Sequence, residues 1–469
     1  MAKKEESLLF ERKFAFDVWD KATTKKAFDF CEGYKDFLTR AKTERLAVKI
    51  VEEMAKKAGF KKLDHIGQAD KKGFSESLYS VNRGKSIILA RPGKKSVSEG
   101  VKIVLAHIDS PRLDLKVRPV FEGEHMVFLK THYYGGIKKY QWTALPLAMY
   151  GVIVKTDGSK VEIALGDDPK DPIFMITDLL PHLSKLQSEK KIDEAVPAET
   201  LNVMAGSLGT GSKDDKEPAK KKLIQLLKEK YGISEEDLVS ADLEMVPQGG
   251  ARDLGFDRSL VSGYGQDDRV CAYAGLLSLL EADKGEYASL VILSDKEEIG
   301  SEGATGANSN YILDFISELI CLETGAHDEN ILRDALSKSK AISADVTVAF
   351  DPDYAEVYDP ANTARLGAGV AVEKYAGHHG KYDASEATAE YLGSIRGIFN
   401  KAGVVWQTGG LGKVDVGGGM TLAAFFARMN MDVVDAGIAL LSMHAPFEIA
   451  SKADIYSAYL AYKAFFESK

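Results

Sequence analysis

The 469-residue sequence predicts an α/β fold in which a central sheet flanked by helices is interrupted by a β-rich insertion. Three observations predict it. Short apolar runs alternate with amphipathic helical stretches early in the chain, the same alternation resumes after residue 258, and the stretch between has the texture of hairpins. Strand–helix alternation on both sides of an insertion implies one layered unit assembled from two chain segments, here 1–116 and 259–469, around an inserted unit at 117–258. A chain of this length exceeds one simple core, which agrees with two structural units.

In chain order, residues 43–58 place Leu46, Ile50, Val51, Met54 and Ala58 at helical spacing, with Gly59 as a stop signal. The apolar runs 86–90 and 101–106, bounded by Gly, Pro and charge, read as buried strands. Residues 150–165 alternate β-branched positions around Asp157-Gly158, a hairpin pattern. Residues 206–222 are Gly-rich and then highly charged, so a solvated loop is expected. Further strands are expected at 288–294, 341–350 and 403–407, and helices at 269–282, 383–401, 433–442 and 453–467.

Composition removes several functional classes. Hydrophobic residues make up 45% and charged residues 28%, the balance of an ordinary globular protein. The formal net charge of −9 shows no basic excess of the kind a nucleic-acid groove or membrane-surface patch carries. The apolar run Leu8-Leu9-Phe10 is too short for a signal region, and no window approaches the roughly 18 apolar residues of a spanning helix. Three widely spaced cysteines (Cys31, Cys271, Cys321) fit a reduced, cytoplasmic protein.

Acidic and histidine residues gather just beyond the expected strands, where open α/β sheets bind their ligands. His107 ends one strand, with Asp109 two residues on. Glu297-Glu298 follow another, Asp345 lies within a third, His444 precedes the last helix, and Asp267-Asp268 open a helix. Singly, an aspartate at a helix start is a normal cap and a lone histidine a core residue. Asp345 is harder to dismiss, because a carboxylate in an apolar strand is costly to bury unpaired. The joint occurrence favours a metal centre. Other motifs fail on spacing: in GSLGTGSK, Ser212 occupies the lysine position of a phosphate loop, and neither H-E-x-x-H nor G-x-S-x-G occurs.

AHIDSPRLD, GQDDRVCAY, DKEEIGSEGATGA, SADVTVAFDPDY and SMHAPFE, in this order, resemble the motifs of the M18 metallopeptidases, the aspartyl aminopeptidase and aminopeptidase I group. The resemblance covers nearly the whole chain and implies a zinc-peptidase catalytic domain interrupted by a dimerisation or lid domain. It implies metal ligation by His107, Asp267, Glu298, Asp345 and His444, with Asp267 spanning two ions. Asp109 would orient His107, and Glu297 would be the general base. The ions are expected to be two zinc ions per subunit, with manganese or cobalt as alternatives. The resemblance also implies a homo-oligomer, a dodecamer built from dimers, in which His182 reaches a neighbouring subunit's site, as a substrate contact or, alternatively, as a metal ligand. Lys374 and Lys381 fall in a segment similar to one near the family's substrate pocket, though Lys381 stands where Arg is usual and Met420 where a small polar residue is expected.

The parts imply removal of N-terminal residues from peptides through a metal-bridged water, with Glu297 taking its proton and passing it to the leaving amine. Carboxylate ligands leave a site that attracts a free α-amino group. An acidic side-chain preference through Lys374 and Lys381 is one expectation. A deacylase or glutamyl aminopeptidase-like enzyme of related fold is an alternative. So is a non-catalytic scaffold, although a scaffold has no need of Glu297.

Overall fold

The computed structural model describes residues 8–63 and 73–469; the charged opening, residues 1–7, lies outside the described residues. Its centre is a nine-stranded mixed sheet. Four parallel neighbours form the middle, in the order Ala288–Ser294, Val101–His107, Lys340–Ser343 and Asp432–Gly437. Their side chains alternate between two cores. Val104, Ala106, Val291 and Leu293 face one cluster with Gln266–Glu281 and Lys452–Glu467; Ile103, Leu105, Leu290 and Ile292 face another with Tyr311–Thr324. Covering both faces is what lets these strands be largely apolar. Each fully buried Leu or Ile contributes about 1.5–3 kcal/mol by leaving water.

The helices follow from the same logic. Tyr311–Thr324 turns Ile312, Phe315, Ile316, Leu319 and Ile320 inward, a spacing of three and four. Glu44–Lys57 begins where expected, capped by the Thr43 hydroxyl, which accepts from the Leu46 N–H at 3.3 Å. Ser451 caps Lys452–Glu467 by accepting from the Ala453 N–H.

A seven-stranded antiparallel sheet draws all its strands from Arg112 to Pro247. It contains the expected hairpin, Leu147–Val154 against Lys160–Leu165. A third, five-stranded sheet joins Arg252–Leu254 and Leu260–Gly263 to Glu448–Ser451, Ala439–Leu441 and Thr347–Val348.

Four expectations need correction. Residues 433–442 are not a helix: they contain the strands Asp432–Gly437 and Ala439–Leu441. A short run buried on both faces carries no periodicity that separates helix from strand, and β-branched Val433-Val434 favour the strand. The single strand expected over 341–350 breaks at Asp345 into Lys340–Ser343 and Thr347–Val348, which belong to different sheets. The 383–401 helix starts only at Ala389, capped by Thr388. The charged 206–222 segment is loop only to Glu217, because Pro218 at the first helical position opens Pro218–Tyr231.

Candidate metal centre

The candidate site residues gather at the carboxyl edge of the parallel strands. His107 ends its own strand, Asp345 stands two residues past Ser343, and Glu297-Glu298 form a short turn after Ser294. Asp267 enters from the start of Gln266–Glu281 and His444 from the loop between Ala439–Leu441 and Glu448–Ser451. All six sequence-predicted cluster residues converge.

Asp267 sits between the histidines. Its Oδ1 lies 3.1 Å from His107 Nε2 and its Oδ2 3.2 Å from His444 Nε2. Asp345 Oδ1 and Glu297 Oε2 each lie 3.8 Å from His107 Nε2, and Glu298 Oε2 lies 3.5 Å from His444 Nε2. Three overlapping donor sets result: His107, Asp267 and Asp345; Asp267, Glu298 and His444; and His107, Glu297 and Glu298.

Asp109, fully buried, ties these groups together. Its backbone carbonyl lies 3.0 Å from His107 Nδ1, and its carboxylate accepts from the Glu297 and Glu298 N–H groups, each at 3.2 Å, and from the Tyr134 hydroxyl at 2.8 Å. Burial alone would raise Asp109, but His107 and Tyr134 hold it below the usual carboxylate range. Glu448 plays a similar part opposite, accepting from the His444 N–H at 2.8 Å and the Asp267 N–H at 3.0 Å. His444 Nδ1 lies 2.8 Å from the Gly136 carbonyl, and the His107 N–H donates to Asp268 Oδ2 at 3.3 Å.

Sequence reasoning missed Tyr134, Glu448 and Gly136 as parts of this arrangement. Glu448 had a signal, lying four residues beyond His444 in a stretch otherwise short of charge. Tyr134 and Gly136 had none, because they arrive from the seven-stranded sheet.

The electrostatics describe a cluster short of positive charge. Burial pushes the Glu297 carboxyl up to about 8, against the pull of His107 and with Glu298 adding repulsion. Asp345 and Glu298 are pushed up in the same way, by burial first and then by neighbouring carboxylates. His444 resists burial, which lowers it, and the carboxylates of Asp267 and Glu298 raise it to about 10. Glu298 Oε1 is buried without a hydrogen-bond partner. Carboxylates this close, with a donor atom left bare, fit bound cations, and mixed imidazole and carboxylate donors suit divalent metals.

The cluster opens onto a cavity of about 770 Å³, bordered by Glu297, Glu298, Asp267 and Asp345 and also by Lys374 and Lys381. Both lysines are exposed at its mouth and share Glu386 Oε1, at 3.5 and 3.0 Å. His182 lies exposed in the turn Pro181–Leu183 and does not line this cavity.

An α/β sheet with histidines and carboxylates converging at its carboxyl edge defines a metal-dependent hydrolase. A sequence model of the aminopeptidase I zinc metalloprotease (M18) family matches residues 37–466, and the chain belongs to that family. It is 46% identical over 461 residues to the "probable M18 family aminopeptidase 1" of Clostridium acetobutylicum, covering 98% of each chain. The crystal structure of the M18-family aminopeptidase from Thermotoga maritima superposes with a TM-score of 0.94 at 43% identity, covering 98% of this chain and all of that one. The protein is therefore a metalloaminopeptidase.

Proposed function

We propose that the chain removes N-terminal residues from peptides using two divalent ions, zinc in the first instance, with Glu297 as the proton shuttle. One observation carries this reading: the two oxygens of Asp267 face different histidines, the arrangement of a carboxylate shared between two ions. His107 and Asp345 would complete one site, and Glu298 and His444 the other. Such ions supply Lewis acidity and activate water at neutral pH.

The chain's own residues do the rest. Asp109 fixes the His107 ring and, through the two backbone N–H groups, the turn that carries both glutamates. Glu297 is the better-exposed glutamate, its side chain 16% accessible against 4% for Glu298. It can therefore take a proton from the attacking water and pass it to the leaving amine, while Glu298 stays a ligand. The carboxylates around the cavity attract the substrate's free α-amino group.

The seven-stranded sheet is read as the dimerisation unit. Its outlying segment exposes Leu179, Leu180, Leu183, Leu186 and Ile192, a surface that a second copy would cover. His182 sits within this segment, which supports its reaching a neighbouring subunit's site in a dodecamer built from dimers. Three free cysteines suit the cytoplasm, and no described helix is long and apolar enough to cross a membrane.

The test is hydrolysis of aminoacyl-anilides by chelator-treated protein reconstituted with zinc, cobalt or manganese, alongside elemental analysis. Activity with two ions per chain is expected. Inactivity with every metal, or saturation at one ion, overturns the reading.

A further inference from the structure

Glu373 ends the strand Val370–Glu373 and lines the same cavity as the metal cluster without joining it. It is buried, 8% exposed. Its Oε1 accepts from the Thr347 hydroxyl, and Thr347 stands two residues beyond Asp345 and also lines the cavity. Among the described residues no cation lies within ion-pair distance of its carboxylate, and its cross-strand partner is another acid, Asp435. The side chain lies over Gly409, where a Cβ would come within 2.8 Å of Oε1, so the glycine makes room for this carboxylate.

Position matters as much as charge. Val370–Glu373 lies two strands from Lys340–Ser343, the strand that leads to Asp345, and therefore about 10 Å from it. Val372 and Met443 add apolar surface to the lining of the cavity. The lysines and arginine that border the cavity, Lys374, Lys381, Arg396 and Lys413, are all exposed, and Lys374 and Lys381 pair with Glu386 and not with Glu373. A substrate side chain in this cavity thus meets apolar lining and, at Glu373, a carboxyl with no cationic partner, which burial pushes up to about 7 and a bound cation would pull back down.

We infer that Glu373 is a specificity-determining residue that selects peptides with lysine or arginine at the N-terminus. The inference rests on the aminopeptidase reading and names its substrate class. The aliphatic stem of such a residue packs on the apolar lining, and its cationic head pairs with Glu373. An aspartate there would set two carboxylates against each other.

The experiment compares kcat/KM for Lys, Arg, Leu and Asp p-nitroanilides on metal-loaded full-length protein and on Glu373→Gln. Wild type is expected to favour Lys and Arg over Leu, and over Asp by at least tenfold. Loss of a buried charge pair should lower the Lys/Leu ratio roughly 30-fold in Glu373→Gln. On wild type alone, lysinamide should compete better than norleucinamide, its uncharged counterpart, whether or not the variant folds. Leu cleavage without a preference for Lys, or an unchanged ratio in a folded Glu373→Gln, overturns the role of Glu373 and leaves the aminopeptidase reading standing. No cleavage of any anilide overturns both.

Discussion

Glu297 and Glu298 are adjacent, yet their amide variants should fail differently. Glu297→Gln keeps the donor set Asp267, Glu298 and His444 and the set His107, Asp267 and Asp345 intact. Metal content should stay near two per chain while turnover falls about 10²–10⁴-fold, the range for a lost general acid–base group. Glu298→Gln should lose metal affinity and recover part of its activity in excess metal. Metal analysis with kinetics on both variants checks this, and metal loss in Glu297→Gln instead would exchange the roles. Tyr134→Phe should weaken metal binding about tenfold, because it removes a hydroxyl that orients Asp109; a metal titration reads the effect. At this scale the sequence was informative where chemistry coincides with the end of a strand, as at His107 and Glu297, or with the start of a helix, as at Asp267. It was silent on Tyr134 and Gly136, because a tyrosine in an alternating strand and a glycine after it look like any others until the chain brings them to the cluster.

The strand Asp432–Gly437 shows what elements add. A Cβ on Gly437 would fall 1.7 Å from the Asp345 carbonyl, so the strand approaches the Asp345 turn closely only because glycine stands there. Gly437→Ala should therefore displace Asp345. The expected result is a loss of about 1–3 kcal/mol in thermal or denaturant unfolding together with lost metal affinity. Unchanged metal content would contradict it. The same region is where sequence reading went wrong. Gly437 lies inside the segment expected as a helix, and consecutive buried residues hide the period-two pattern that half-exposed strands display. The hairpin at Leu147–Val154 and Lys160–Leu165 was legible because one face meets solvent and Asp157-Gly158 marks its turn. The break at Asp345 was not, because only pairing with two different sheets reveals it.

For the whole molecule, two outcomes are expected. Chelation should lower the melting temperature as well as abolish activity, since cations that bind only the folded cluster stabilise it, and added zinc should restore both. Leu183→Asp should shift light scattering toward smaller species, because it places charge on the exposed apolar surface; an unchanged assembly would separate that surface from subunit contact. A homo-oligomer is an expectation from family resemblance, whereas which of the apolar residues between Leu179 and Ile192 stay exposed depends on the folded chain.

The strand Met126–Tyr134 and the glycines after it carry one more consequence. Its end supplies the Tyr134 hydroxyl to Asp109, the Gly136 carbonyl to His444, and at Gly135 a backbone so close to Glu298 that a Cβ would meet Oε2 at 3.2 Å. The sheet that carries the apolar surface is thus also a lever resting on the proposed donors. If subunit contact shifts that lever, metal affinity and self-association become two readings of one equilibrium: by reciprocity, whatever factor metal adds to association, association adds to metal binding. Dilution would then loosen the ions, and loading the ions would draw the subunits together.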